Sequence, residues 1–189
     1  MKAAVLLIGD ELLGGVITDR NVQATARVLG PRGGGIVRVE TVGDDPAAIA
    51  DALHGLAARA DVVVVSGGLG PTDDDRTREG VARALGTEVV ENTELGRQLG
   101  DWLEARGLDR RVASRQASFP GGTQPVRNPV GSAYGFRGRL GDAEFWVLPG
   151  VPSEFGEMLT ELAATLPQPD GLDWERLVAT AGRGETLVA

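Results

Sequence analysis

The 189-residue chain carries a net charge of −8, no cysteine and a single histidine. Those counts exclude disulfides, thiolate zinc sites and cysteine nucleophiles, and they leave no histidine cluster or serine triad to assemble. The acidic balance argues against a nucleic-acid partner, which attracts clustered Lys and Arg, and the length fits one domain that buries roughly 70% of its unfolded surface without cross-links.

Residues 2–9 are predicted as the first core strand. Ala3-Ala4-Val5-Leu6-Leu7-Ile8 is too short to span a membrane, lacks a small-residue cleavage site and runs straight into Gly9-Asp10, so a cytoplasmic protein with no membrane partner is expected. Thr18 or Asp19 is placed to cap a helix from about Asn21 to Leu29, which Gly30-Pro31 stops. Residues 36–42 read as the second strand. Asp44 or Asp45 then caps a helix with Pro46 in its first turn and Ile49, Leu53, Leu56 and Ala60 along one face. His54 lies off that stripe and is predicted to face solvent.

Asp61-Val62-Val63-Val64-Val65 is a β-branched run suited to a buried parallel strand. It opens into Ser66-Gly67-Gly68-Leu69-Gly70-Pro71-Thr72-Asp73-Asp74-Asp75-Arg76-Thr77, the most informative segment of the chain. Glycines let the backbone turn tightly and bring bare N–H groups to a ligand. Clustered carboxylates beside such a loop suit phosphate oxygens and the cation that neutralises them. A bare strand-to-helix connection capped by the aspartates is the alternative.

Helices are predicted from Thr77 to Leu85 and from Thr93 to Gly107, with a weaker one from Arg110 to Ala117. Thr123 to Val126 is a short strand entering the loop Asn128-Pro129-Val130-Gly131-Ser132-Ala133. Tyr134 to Leu140 and Ala143 to Leu148 flank Gly141-Asp142 as a hairpin, which places an antiparallel strand in the sheet. Pro149-Gly150-Val151-Pro152 turns into a helix bearing Phe155, Met158, Leu159 and Leu162. Residues 167–189 read as a linker or the start of a connecting segment. The alternation of strand and helix predicts an α/β fold with a largely parallel sheet. Gly9, Asp10 and Glu11 then sit at the carboxyl end of the first strand, where open α/β sheets bind ligands, although Asp10 also suits a helix cap. Asp44 is read equally as a cap or a site residue. Residues 128–133 form either a plain turn or a ligand contact through Asn128, Gly131 and Ser132.

Four motifs in order, Gly9-Asp10-Glu11-Leu12-Leu13-Gly14 with Asp19 and Asn21, residues 66–77, residues 128–135, and Leu148-Pro149-Gly150-Val151-Pro152-Ser153-Glu154, resemble the N-terminal domain of the CinA family. That domain belongs to the molybdopterin-binding superfamily with the MogA and MoaB proteins. The resemblance covers residues 1–166. It implies a three-layer α/β/α sandwich with a mostly parallel mixed sheet, and a pocket gathered from the Gly9–Asp10 turn and the 66–75 and 128–133 loops. It further implies metal-dependent hydrolysis of ADP-ribose to AMP and ribose 5-phosphate, with Asp75, Asp74 and Asp44 as catalytic candidates. Substrate contacts are expected from Gly9, Asp10, Glu11, Ser66, Gly67, Gly68, Gly70, Thr72, Asn128, Gly131 and Ser132. Asp75, Asp74 and Asp10 are expected to hold Mg²⁺, Mn²⁺ or Co²⁺.

The partner is then a phosphorylated small molecule, nucleotide or pterin, and relatives imply a dimer or trimer. Adenylyl transfer to molybdopterin and a non-catalytic nucleotide-binding module are the alternatives. Tyr134 stands where members commonly carry a small residue or proline, which would narrow the pocket or stack on a ring. The deamidase domain of larger members is expected to be absent, with residues 179–189 resembling only the beginning of the connection to it.

Overall fold

The computed structural model describes residues 1–166. In its first half, β1 (Lys2–Ile8), the short turn α1 (Asp10–Leu13), α2 (Asn21–Leu29), β2 (Gly35–Val42), α3 (Pro46–Ala57), β3 (Val62–Ser66) and α4 (Thr77–Leu85) follow one another. The second half runs β4 (Val89–Glu91), α5 (Thr93–Glu104), α6 (Ala113–Gln116), β5 (Ser118–Pro120), β6 (Gln124–Val126), β7 (Gly135–Leu140), β8 (Ala143–Leu148) and α7 (Pro152–Thr165).

Strands that are apolar at successive positions have two faces to bury, and the fold covers both. On one side Leu6, Val63, Val65, Phe145 and Val147 pack against Ile49, Leu53 and Leu56 of α3 and Val81 of α4. On the other, Ala3, Val62, Val64, Trp146 and Leu148 meet Leu29 of α2 and Phe155, Met158 and Leu162 of α7. The period-two alternation of each central strand thus separates two cores, giving the expected three-layer sandwich.

The main sheet has the order β2-β1-β3-β8-β7-β6. β1 pairs in parallel with β2 and β3, and β3 in parallel with β8. β7 is antiparallel to β8 across the Gly141-Asp142 turn, with Leu140 opposite Ala143 as the hairpin reading requires. The mixed sheet with helices on both faces matches the predicted fold class.

Local chemistry sets the boundaries. Asp19 accepts the backbone N–H groups of Asn21 and Val22, each at 3.0 Å, and so starts α2. Asp45, not Asp44, caps α3 through the N–H groups of Ala47 and Ala48, both at 3.3 Å. No side chain caps α4, so the 73–75 aspartates do not serve that purpose. The expected helix at 110–117 is a 3₁₀ turn (Arg110–Val112) running into α6. The antiparallel pair β4–β5 was not expected from sequence. No helix among the described residues is long and apolar enough to cross a membrane. The expected linker at 167–189, including the segment from 179, lies outside the described residues.

Candidate functional site

From β1 the chain moves outward to β2 and then returns past β1 to β3, so the strand order reverses between β1 and β3. The helix after β1 packs on one face and the helices after β2 and β3 on the other. A crevice opens at such a switch point, beyond the carboxyl ends of the strands. Here it is a cavity of about 530 Å³ whose wall includes Glu11, Asn21, Ser66, Gly68, Asp75 and Ser132.

The glycine loop is held from behind by the start of α4. Thr77 Oγ1 donates to the Gly67 carbonyl at 2.8 Å, the Thr77 N–H to the Gly68 carbonyl at 3.3 Å, and Arg78 Nη2 to the Leu69 carbonyl at 3.1 Å. Across a trans peptide the N–H points opposite to the C=O. Three carbonyls drawn toward α4 therefore turn the N–H groups of Gly68, Leu69 and Gly70 away from it. The Gly70 N–H is taken by Asp75 Oδ1 at 2.8 Å. Those of Gly68 and Leu69 have no protein acceptor among the described residues, and two neighbouring free amides form a nest for an anion. Gly68 has φ of 64°, and a Cβ there would collide with Thr77 Oγ1, so only glycine serves.

Asp75 is the organising acid of this loop. Its Oδ2 accepts the Thr72 N–H at 2.9 Å and the Thr72 hydroxyl at 2.6 Å, while Oδ1 holds Gly70. Arg115 ties the same segment down, reaching the Asp75 carbonyl at 3.1 Å and Asp73 Oδ1 at 3.2 Å.

Arg78, which sequence reasoning passed over, is 2% exposed beneath the loop, and its Nε and Nη1 have no hydrogen-bond partner. Burial lowers its pKa to about 10, with Arg115 acting in the same direction against Glu79 and Asp75. A basic residue in the first turn of a helix reads as a surface group, and no spacing in the sequence marks it as buried.

A second acidic contact joins the turns after β1 and β2. The Asp10 N–H donates to Asp44 Oδ2 at 3.0 Å, and the Asp44 N–H to Asp10 Oδ1 at 3.4 Å. Burial raises the Asp44 pKa, the Asp10 N–H opposes the rise, and the charges of Asp10, Glu11 and Asp75 add to it. Among the described residues no three His, Cys, Asp or Glu side chains gather to hold a metal ion by themselves.

Several expected contacts are committed elsewhere. The Gly67 N–H donates to the Leu148 carbonyl at 3.1 Å, and the amide of Gly70 and both donors of Thr72 belong to Asp75. Asn128 Oδ1 accepts the Val130 and Gly131 N–H groups at 3.1 and 2.9 Å, and its Nδ2 donates to Glu154 at 2.5 Å. Asn128 is therefore a clamp between its loop and α7, and the Gly131 amide is not free for a ligand. Of this loop Ser132 faces the cavity, whereas Asn128, Gly131 and Tyr134 line a smaller one of about 120 Å³. Tyr134 does not narrow the main cavity. It sits edge-on to Phe119 at 6.5 Å. Glu11 is on the cavity wall, while Gly9, Asp10, Asp44 and the exposed Asp74 are not. His54 is exposed, as expected.

Comparison with known proteins bears on the family and the fold. Residues 4–168 match the model of a family described as a probable molybdopterin binding domain. A CinA-like protein of Citrifermentans bemidjiense is 44% identical over 185 residues, covering 94% of this chain and 43% of its own. One from Frankia casuarinae is 39% identical over 203 residues, covering 100% and 46%. The chain thus spans less than half the length of these relatives. The structure of CinA from Thermoplasma acidophilum, a protein of unknown function, superposes with a TM-score of 0.78 at 30% identity, covering 86% of this chain and 96% of that one. MoaB of Thermus thermophilus, a molybdopterin biosynthesis enzyme, shares the fold with a TM-score of 0.57 at 23% identity, covering 89% and 99%.

Proposed function

We propose that this chain, which belongs to the molybdopterin-binding domain family and to its CinA-like branch, is a metal-dependent hydrolase that adds water to ADP-ribose to give AMP and ribose 5-phosphate. The observation that carries the phosphate part of this reading is the pair of N–H groups at Gly68 and Leu69, two cavity-lining residues, that have no protein acceptor among the described residues and are turned away from α4 by carbonyls fixed to Thr77 and Arg78. They would hold non-bridging oxygens of one phosphate. The Ser66 hydroxyl, which accepts from Asn21 Nδ2 at 2.8 Å, keeps its own proton to donate beside them.

The donor set fits a cation in one mode. Asp75 already occupies the third amide of the row and lines the cavity, so an anhydride lodged there meets like charge. Asp44 is raised by burial and by three neighbouring acids. Mg²⁺ is commonly held by one or two carboxylates together with substrate phosphates, so no closed protein cage is required. Asp75, on the cavity wall, would hold Mg²⁺, Mn²⁺ or Co²⁺ together with the substrate phosphates, and the bound ion would neutralise charge and act as a Lewis acid on the phosphoryl group. Glu11, on the same wall, is the carboxylate assigned to take the proton of the attacking water. Asp75 keeps the amide row in place, and Asp74, exposed and off the wall, is given no direct part.

The family's description as molybdopterin-binding favours a second reading, in which the same nest holds a pterin phosphate for adenylyl transfer or for binding alone. Incubating the protein with ADP-ribose and each divalent ion, then separating products by chromatography, tests the choice. Formation of AMP and ribose 5-phosphate, reduced at least tenfold in Asp75→Asn, is expected. No product with any ion, alongside tight pterin phosphate binding, would overturn the hydrolase reading. A cytoplasmic location and assembly as a dimer or trimer, checked by fractionation and sedimentation, belong to the same proposal.

A further inference from the structure

The cavity's donors gather at the glycine loop, whereas two of its buried side chains present acceptors that nothing satisfies. Asn21, 4% exposed, and Gln116, 3% exposed, both line the cavity. The orientation of the Asn21 amide is fixed, because Nδ2 donates to the Gly150 carbonyl at 2.9 Å and a carbonyl can only accept. Its Oδ1 is therefore the remaining amide atom, and it is buried without a partner. Gln116 Oε1 is likewise buried and unpartnered. Buried acceptors left unmatched in a folded chain call for an explanation, and a cavity wall supplies one: a ligand group brings the missing donors.

We propose that Asn21 and Gln116 determine specificity by accepting hydrogen bonds from hydroxyl or N–H groups on the body of a phosphorylated ligand. The inference rests on the reading that the Gly68–Leu69 nest holds the phosphate. The nest supplies N–H groups to the anion and the two amide oxygens take the ligand's donors, so the cavity distinguishes a phosphorylated sugar or amino-heterocycle from a bare polyphosphate. Ribose hydroxyls and pterin N–H groups share this chemistry. A site built to receive a donor discriminates strongly against analogues that lack it.

Isothermal titration of the full chain with pyrophosphate, ribose 5-phosphate and hydroxymethylpterin diphosphate tests the proposal. Gln116→Met should weaken at least one donor-bearing ligand tenfold or more while changing pyrophosphate less than threefold, and Asn21→Ala, which also removes the hydrogen bond to Ser66, should weaken the donor-bearing ligand by more than it weakens pyrophosphate. The ligand that loses affinity identifies the sugar or the pterin as the source of the donors. Equal losses for pyrophosphate and for the donor-bearing ligands would reduce both residues to structural roles and overturn the inference, as would unchanged affinities throughout. Gln116→Met carries the comparison if Asn21→Ala does not fold. If the wild type ignores pyrophosphate yet the variants still lose a donor-bearing ligand, the phosphate nest falls and the specificity role stands.

Discussion

Arg78 is a buried cation whose contribution to stability and contribution to the site are separable. Its lowering to about 10 corresponds to roughly 3 kcal/mol against the charged form. The hydrogen bond to Leu69 returns about 1.5–3 kcal/mol, the range for a bond from a charged group. The two nearly cancel, so Arg78→Met should change the melting temperature by only a few degrees. The same change frees the Leu69 carbonyl and should weaken pyrophosphate binding about tenfold in calorimetric titration. Unchanged binding would show that the loop needs no support from behind.

Asp44 makes a pH-dependent case. Its folded pKa is raised, chiefly by burial. Its stabilising effect is therefore complete below the ordinary carboxyl value and is lost as pH rises through the raised one. At pH 7 the ionised side chain opposes folding. Asp44→Asn keeps an acceptor for the Asp10 N–H, and scanning calorimetry should find it more heat-stable than wild type at pH 7, with the difference shrinking toward acid pH. A lower melting temperature at pH 7 would contradict the sign.

Among the elements, α3 and α4 pack closely because position 80 has no side chain. A Cβ on Gly80 would lie 2.5 Å from Ile49 Cγ2, whereas one on Gly55 in α3 would meet nothing within 4 Å. Gly80→Ala should therefore cost about 1–3 kcal/mol by overpacking. Gly55→Ala should stabilise by roughly 0.5–1 kcal/mol through helix propensity. Thermal melts of the two variants should shift in opposite directions, and a stabilised Gly80→Ala would refute the close contact.

Legibility in the sequence also divides by element. The run at 62–65 announced a central strand because burial on both faces leaves only apolar β-branched residues there. The hairpin was readable from Gly141-Asp142. β4 and β5 were not, since three-residue strands have too few positions to show a period and each is stabilised by the other across the fold. At the site, the loop, its glycines and Asp75 were visible as residues. Their commitments were not, because Asp75 bound to Gly70 and Thr72 is spelled the same as Asp75 bound to a metal. Asn128 looked like a ligand contact for the same reason, and its true partners, Gly131 and Glu154, were fixed only by how its loop folds back on α7.

For the whole molecule, the sandwich exists to hold three loops at one end of a sheet. The parallel strands β1, β3 and β8 bring Ile8, Gly67 and Pro149 to the same crevice, and the register that places Ser66 beside both Leu7 and Leu148 fixes their heights. The central claim is that this scaffold presents the Gly68 and Leu69 amides to a phosphate. Backbone ¹⁵N–¹H spectra of the labelled chain, recorded while pyrophosphate and then ADP-ribose are added, test it most directly. The account predicts saturable shifts at Gly68 and Leu69 that exceed those of Gly67 and Gly70, whose N–H groups are already bound. Ligand binding that leaves the Gly68 and Leu69 resonances in place would contradict it.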